Sequence, residues 1–346
     1  MKKVLAVVLA ILIVMSLAAC GGNKTASGTS NSTSAATESV TIKVSYPGAE
    51  THPWHKAALI FKENVESRSN GKITVDLFPN QSLAPLRETV EGIQNGTIEM
   101  GIVTTSNITT FEPKLQIFDL PYLFPTQEIA DTILDGEIGD EMAAILLEKG
   151  FKVCSYLDYG FRSLSNTKKP ITCPDDVKGM LVRAPEMPML VSWLEYMGAN
   201  STVVAGSELF SALQQGVVDA QDNGVVTMAS GKYYEVEGYM TETNHILAVA
   251  VTVFNKDFFE GLPTEFQQIL QEECDNLTTN ARQGMADSLD TARQTCKDNG
   301  MEFYELSADE LQAFVDSGRA IWPQYYDQLD TDMLNRISAK VDELLG

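Results

Sequence analysis

Apolar and polar residues alternate through Val40, Ile42, Val44 and Tyr46, the two-residue period of a strand with one buried face. After a loop at residues 47–53, Trp54, Ala57, Ala58, Phe61 and Val65 keep helical spacing, and Asn70-Gly71 supplies a C-terminal stop. Ile73, Val75 and Leu77 predict a second strand. Leu86, Val90 and Ile93 predict a second helix closed by Asn95-Gly96, and Ile98, Met100 and Ile102 a third strand. Strand, helix, strand, helix, strand with short connections predicts a parallel sheet covered by helices. Ligands of open parallel sheets lie beyond the carboxyl ends of the strands. Here those ends are residues 47–52, 78–85 and Thr104-Thr105-Ser106-Asn107, which offer hydroxyls, an amide and His52 but no catalytic cluster.

An apolar crossing segment, Phe118-Asp119-Leu120-Pro121-Tyr122-Leu123-Phe124-Pro125, leads to two short helices at 128–134 and 139–149 and a strand at 151–156. A second cycle follows: extended chain at 161–164, a helical turn at 175–178 and a strand at 180–183. Met189, Leu190, Trp193, Leu194 and Met197 mark an amphipathic helix ended by Gly198. Val203-Val204, a helix at 207–215 and a strand at 217–220 complete the cycle. Residues 246–254 are an apolar strand long enough to pass between lobes. Residues 263–299 keep a helical pattern for about 55 Å, more than one small lobe spans, with Gly284 as the one weak point. A strand at 301–306 and acidic helices at 308–328 and 330–345 finish the chain. The expected fold is α/β with two lobes, residues 40–160 plus about 249–288 and residues 161–248 plus about 289–346, joined by crossing strands and the long helix.

The first residues are a separate object. Lys2 and Lys3 precede an apolar run at 4–17, an export signal too short to span a membrane. Leu17-Ala18-Ala19-Cys20-Gly21 resembles a bacterial lipoprotein signal over residues 1–20, with Cys20 lipidated; a plain secretory signal cut after an alanine is the alternative. Residues 21–39, rich in Gly, Ser, Thr, Asn and Ala, read as a flexible tether with a typical reach of about 24 Å. The expected location is extracytoplasmic, with the chain lipid-anchored to the membrane.

The formal charge of −22 over 346 residues argues against nucleic acid, whose phosphates need a clustered basic face. Against that field an inward-facing arginine stands out. Cys154, Cys173, Cys274 and Cys296 contain no C-x-x-C pair. Cys274 and Cys296 would lie about 33 Å apart on one helix, so free buried thiols are expected, with a Cys154–Cys173 bridge left open.

Enzyme signatures fail on spacing. The segment from Gly224 to Gly231-Lys232 is too long for a phosphate loop and Tyr233 replaces its Ser/Thr. His52, His55 and His245 make a poor metal set, there is no Gly-x-Ser-x-Gly elbow, and no acidic residue stands alone in an apolar setting. Neither a metal nor a cofactor is expected. The positive signal lies in the second lobe. Lys178-Gly179-Met180-Leu181-Val182-Arg183 delivers an arginine where Pro185 ends the strand; a surface salt bridge is the plain alternative. Gly160-Phe161-Arg162 presents a second arginine, and Asp219-Ala220-Gln221-Asp222-Asn223 ends a strand with amides. Two forked guanidinium groups beside an amide suit a carboxylate with hydroxyls.

These segments, with Gly71-Lys72-Ile73, Phe78-Pro79, the Phe118–Phe124 crossing, Ala212-Leu213-Gln214-Gln215-Gly216 and Tyr234-Glu235-Val236, carry a resemblance to the solute-binding subunits of tripartite ATP-independent periplasmic (TRAP) transporters. The resemblance implies a type II-like periplasmic-binding-protein fold, not an enzyme, that closes on a small organic acid and delivers it to membrane subunits. It implies that Arg183 pairs with the ligand carboxylate and that Arg162 and Asn223 complete the site. Glu186 stands where relatives often have asparagine. His52, Thr104, Ser106, Asn107, Glu186 and Gln221 are the further expected ligand contacts. A C4-dicarboxylate would want a second cation from the first lobe, where Lys56, Lys114 and Arg87 are the evident donors; hydroxyl-binding residues there favour a sugar acid such as a uronate. A dicarboxylate or keto acid is the alternative, followed by an extracellular carbohydrate-active enzyme or a ligand-presenting receptor. A monomer is expected.

Overall fold

The computed structural model describes residues 39–346; Cys20, the export signal and all but the last residue of the expected tether lie outside them. Strand β1 (Val40–Ser45) leads through helix α1 (Pro53–Arg68) to β2 (Ile73–Phe78), and α2 (Leu86–Asn95) leads to β3 (Met100–Thr104). β1 lies in the middle and pairs in parallel with both neighbours, as the short strand–helix connections predict. Helices α3 (Gln127–Leu134) and α4 (Glu137–Glu148) then deliver the chain to β4 (Phe151–Asn166). A second parallel set follows, β5 (Leu181–Ala184), α5 (Pro188–Tyr196), β6 (Asn200–Val203), α6 (Leu209–Gln214) and β7 (Ala220–Asn223), with β5 between β6 and β7. After α7 (Val225–Ser230) comes β8 (Tyr239–Asn255), which runs antiparallel to β3 on one side and to β4 on the other.

The sheet order is therefore β2-β1-β3-β8-β4-β7-β5-β6, a lobe at each end and two long antiparallel strands crossing between them. The remaining elements are α8 (Lys256–Gly261), α9 (Thr264–Asp298), β9 (Glu302–Tyr304) beside β8, α10 (Ala308–Arg319) and α11 (Thr331–Leu345).

Period-2 alternation divides the core into two layers on opposite faces of this sheet. Along β8, Ala248, Ala250 and Phe254 face the layer formed with α1, α6, α7 and α9. Leu247, Val249, Val251 and Val253 face the layer formed with α2 to α5, α10 and α11. Each layer extends under both lobes. Helix α9 is unbroken for 35 residues, about 52 Å, and packs on α1, α7 and β4, so it does span both lobes. Gly284 is no weak point: a Cβ there would stand 3.1 Å from Pro53 Cβ, so the missing side chain lets α9 approach the start of α1.

Several boundaries differ from expectation. β4 is continuous where two separate stretches were predicted, because register shifts at Val153/Ser155, Asp158/Phe161 and Arg162/Leu164 absorb the interruption and Gly160 adopts φ 86°. The strand predicted at 217–220 forms instead at Ala220–Asn223: Val217 is 56% exposed, whereas the polar Gln221, Asp222 and Asn223 are buried. β8 starts seven residues before the apolar run, with Thr241, Thr243 and His245 buried inside it. Helices α7 and α8 were not predicted. α10 stops at Arg319 instead of reaching 328, since Pro323 cannot continue a helix. All four described cysteines are free; Cys274 and Cys296 are buried, while Cys154 and Cys173 are partly exposed. No helix among the described residues is long and apolar enough to cross a membrane.

Candidate functional site

Where the two parallel sets face each other across β8 and β4, their strand ends line a cavity of about 440 Å³. Arg183 reaches it from the end of β5. The positive φ of Gly179 (73°) turns the chain into the strand, and Pro185 removes the next ladder donor. The Arg183 side chain is buried, 4% exposed, and its Nε donates to the Val204 carbonyl at 2.8 Å. No carboxylate pairs with it among the described residues. Burial, helped by the like charge of Arg162, lowers its pKa to about 10, so it remains a cation at neutral pH.

Arg162, on β4, also lines the cavity, but its charge is answered internally. Its Nη2 donates to Asp222 Oδ1 at 2.9 Å and to the Asp222 carbonyl at 2.9 Å, and its Nε contacts Asp222 Oδ2. The antiparallel pairing of β4 with β7 sets these residues against each other. Burial acts to raise the Asp222 pKa, yet Arg162 and His245 outweigh it and hold the carboxyl below the usual range. His245 Nε2 lies 3.4 Å from Asp222 Oδ2, and its Nδ1 lies 2.8 Å from Thr243 Oγ1.

Asn223 completes this wall and is held from behind. Its Nδ2 donates to Gln221 Oε1 at 3.3 Å, Gln221 Nε2 donates to Glu237 Oε2 at 2.7 Å, and Ser165 Oγ donates to Glu237 at 3.1 Å. Burial pushes the Glu237 carboxyl up to about 8 despite those hydrogen bonds, so it is neutral at pH 7. Gln221 is fully buried and supports Asn223 without lining the cavity.

The facing wall is neutral and polar. Thr104 Oγ1 donates to Asn107 Oδ1 at 2.6 Å and lies 3.0 Å from Ser106 Oγ. Asn80 and Gln81 adopt left-handed backbone, φ 52° and 56°, which turns the end of β2 into the cavity. At the rim, Arg87 Nη1 on α2 donates to Glu186 Oε1 at 3.2 Å across the cleft, and its Nε donates to Glu91 Oε1 at 3.2 Å. Thr51 Oγ1 also crosses to the Ser230 carbonyl at 3.1 Å, and a Cβ on Gly206 would stand 2.8 Å from Gln81 Nε2. These contacts bridge the cleft at its rim.

Seven of the nine expected contacts line one cavity: Arg183, Arg162, Asn223, Glu186, Thr104, Ser106 and Asn107. His52 does not. It is fully buried, its Nδ1 accepts from the Trp54 N–H at the start of α1, its ring stacks on Tyr159 at 4.8 Å, and burial lowers its pKa to about 3. A histidine at a helix start serves as an N-cap here. Tyr159, Tyr233, Asn80 and Gln81 line the cavity without having been singled out. The last two fall in the loop after the second strand that topology marks as ligand-facing; no local signal distinguishes the tyrosines. No group of three His, Cys, Asp or Glu among the described residues is set to hold a metal ion.

Residues 44–329 match the family described as bacterial extracellular solute-binding protein, family 7 (DctP). The C4-dicarboxylate-binding periplasmic protein DctP of Rhodobacter capsulatus is 32% identical over 308 residues, 88% of this chain and 89% of that protein. The 2,3-diketo-L-gulonate-binding periplasmic protein YiaO of Escherichia coli (strain K12) is 29% identical over 276 residues, 80% of this chain and 84% of its own length. Among solved structures, the sugar acid binding protein DctPAm from Advenella mimigardefordensis in complex with galactonate superposes with a TM-score of 0.86 at 27% identity, covering 89% of this chain and 99% of that one.

Proposed function

The chain belongs to the family 7 bacterial extracellular solute-binding proteins, the solute-binding subunits of TRAP transporters, and on that premise we propose that its ligand is a sugar monocarboxylate such as a uronate or aldonate. The observation that carries this reading is the buried Arg183 guanidinium, the one cavity-lining cation without a carboxylate partner among the described residues. Arg162 is neutralised by Asp222, and Arg87 by Glu91 and Glu186. A ligand with one carboxylate and several hydroxyls matches a single free fork facing Thr104, Ser106, Asn107 and Asn223. Galactonate and diketogulonate, bound by relatives, have this composition. A C4-dicarboxylate, as bound by the Rhodobacter relative, would leave its second charge beside Glu88, Glu186 and Glu208 at the rim.

In this reading the ligand enters between the lobes of residues 40–160 plus about 249–288 and 161–248 plus about 289–346, hinge closure buries it, and the closed form is presented to the transporter's membrane subunits. The protein works extracytoplasmically as a monomer, held at the membrane by lipid on Cys20 and by the tether at 21–39. Calorimetric titration with glucuronate, galactonate and succinate tests the assignment. Arg183→Ala should weaken sugar-acid binding by at least about 30-fold, because removing one partner of a buried charge pair costs about 2–5 kcal/mol. Unchanged affinity in that variant rejects the anchor role.

A further inference from the structure

We infer that Glu186 is a specificity-determining residue that acts by masking Arg87, withholding from the cavity a second cation that would otherwise receive a second carboxylate. The inference rests on Arg183 as the anchor of the first carboxylate. Arg87 lies in the first turn of α2 on one side of the cleft, and Glu186 follows β5 on the other. They meet at 3.2 Å, and both line the cavity. Without Glu186, Arg87 would present the free edge of its guanidinium fork to the cavity while Glu91 held its Nε at 3.2 Å. With Glu186 in place, the rim holds three carboxylates, Glu88, Glu186 and Glu208, against one guanidinium. A ligand fixed on Arg183 with a second negative charge meets net repulsion there, whereas neutral hydroxyls can use the same carboxylates as acceptors.

The side chains of Arg87 and Glu186 are 56% and 46% exposed, so the pair contributes little to folding and can be altered without loss of the native state. Glu186→Gln keeps the length and hydrogen-bonding capacity of the side chain and removes its charge. Titration of this variant should show succinate affinity rising up to about fivefold while glucuronate affinity does not rise with it, since one partly exposed charge contact is worth up to about 1 kcal/mol. Adding Arg87→Gln to it should abolish the succinate gain. If succinate and glucuronate weaken in parallel, the pair is only a latch across the cleft and the inference is overturned. It is equally overturned if the ratio of the two affinities stays put. Arg183→Ala measured alongside separates the two readings. Retained binding there removes the anchor, while lost binding there with an unmoved ratio in Glu186→Gln removes the mask alone.

Discussion

Arg162 has Asp222 across the strand pair and Arg183 has only the Val204 carbonyl, so two buried guanidinium groups in one cavity answer to different partners. Asp222 is fully buried, and its oxygens are occupied by Arg162 and His245. Asp222→Asn would leave Arg162 buried without its counter-charge, beside the like charge of Arg183. The expected loss is about 3–5 kcal/mol of stability, the penalty for breaking one side of a buried ion pair, read as a fall in the urea midpoint. A midpoint within error of the parent would mean that the pair is not what neutralises Arg162. The sequence made Arg183 visible because a turn glycine, a short apolar run and Pro185 frame it. Asp222 passed as part of a strand-end amide cluster, because its role exists only through β4–β7 pairing, which no local pattern encodes. His52 misled for a related reason: a histidine in a strand-end loop looks ligand-facing, while its capping of α1 becomes evident only once the ring is seen stacked under Tyr159.

Elements with one buried face were legible, since period 2 or 3.6 in apolar residues is all they require; β1, α1, β2 and α9 follow from it directly. The crossing strands were legible only in their apolar parts. Their remaining lengths bury Ser163, Ser165, Thr241 and Thr243, polar residues that strand–strand pairing and local hydrogen bonds satisfy. Short α8 has a cap that also escaped notice. Asn255 Oδ1 accepts from the Phe258 N–H at 2.8 Å, and its Nδ2 donates to the Ile93 carbonyl at 2.7 Å and the Gln94 carbonyl at 3.3 Å. One buried amide thereby caps α8 and ties the end of β8 to the last turn of α2, the helix that carries Arg87. Asn255→Ala should cost about 2–3 kcal/mol, the sum of a lost N-cap and an unsatisfied buried carbonyl. Chemical denaturation measures it, and a cost below about 0.5 kcal/mol would show that water replaces the amide at little expense.

For the whole molecule, a formal charge of −22 builds self-repulsion as the carboxylates ionise, and the interior acts in the same sense. Burial raises Asp119 from 3.8 and Glu237 from 4.5, each to about 8, and raises Asp158 to about 6. Between the lower and the raised values the native state holds protons that the unfolded chain has released, so these groups contribute stability that declines as pH rises from about 4 to 8. Asp222, held below the usual carboxylate range, contributes in the opposite sense and loses its share only as pH falls below about 4. Glu237 can be tested alone. Its protonated carboxyl is close in shape to an amide and bonded to Ser165 and Gln221. Glu237→Gln should therefore match the parent near pH 4, exceed it in stability near pH 8, and show a shallower decline between, with Asp119 and Asp158 supplying the slope that remains. Urea unfolding at half-unit pH steps gives both curves. Parallel curves would place the Glu237 proton release outside this range, and with it the neutral Gln221–Glu237 support that holds Asn223 at the cavity wall.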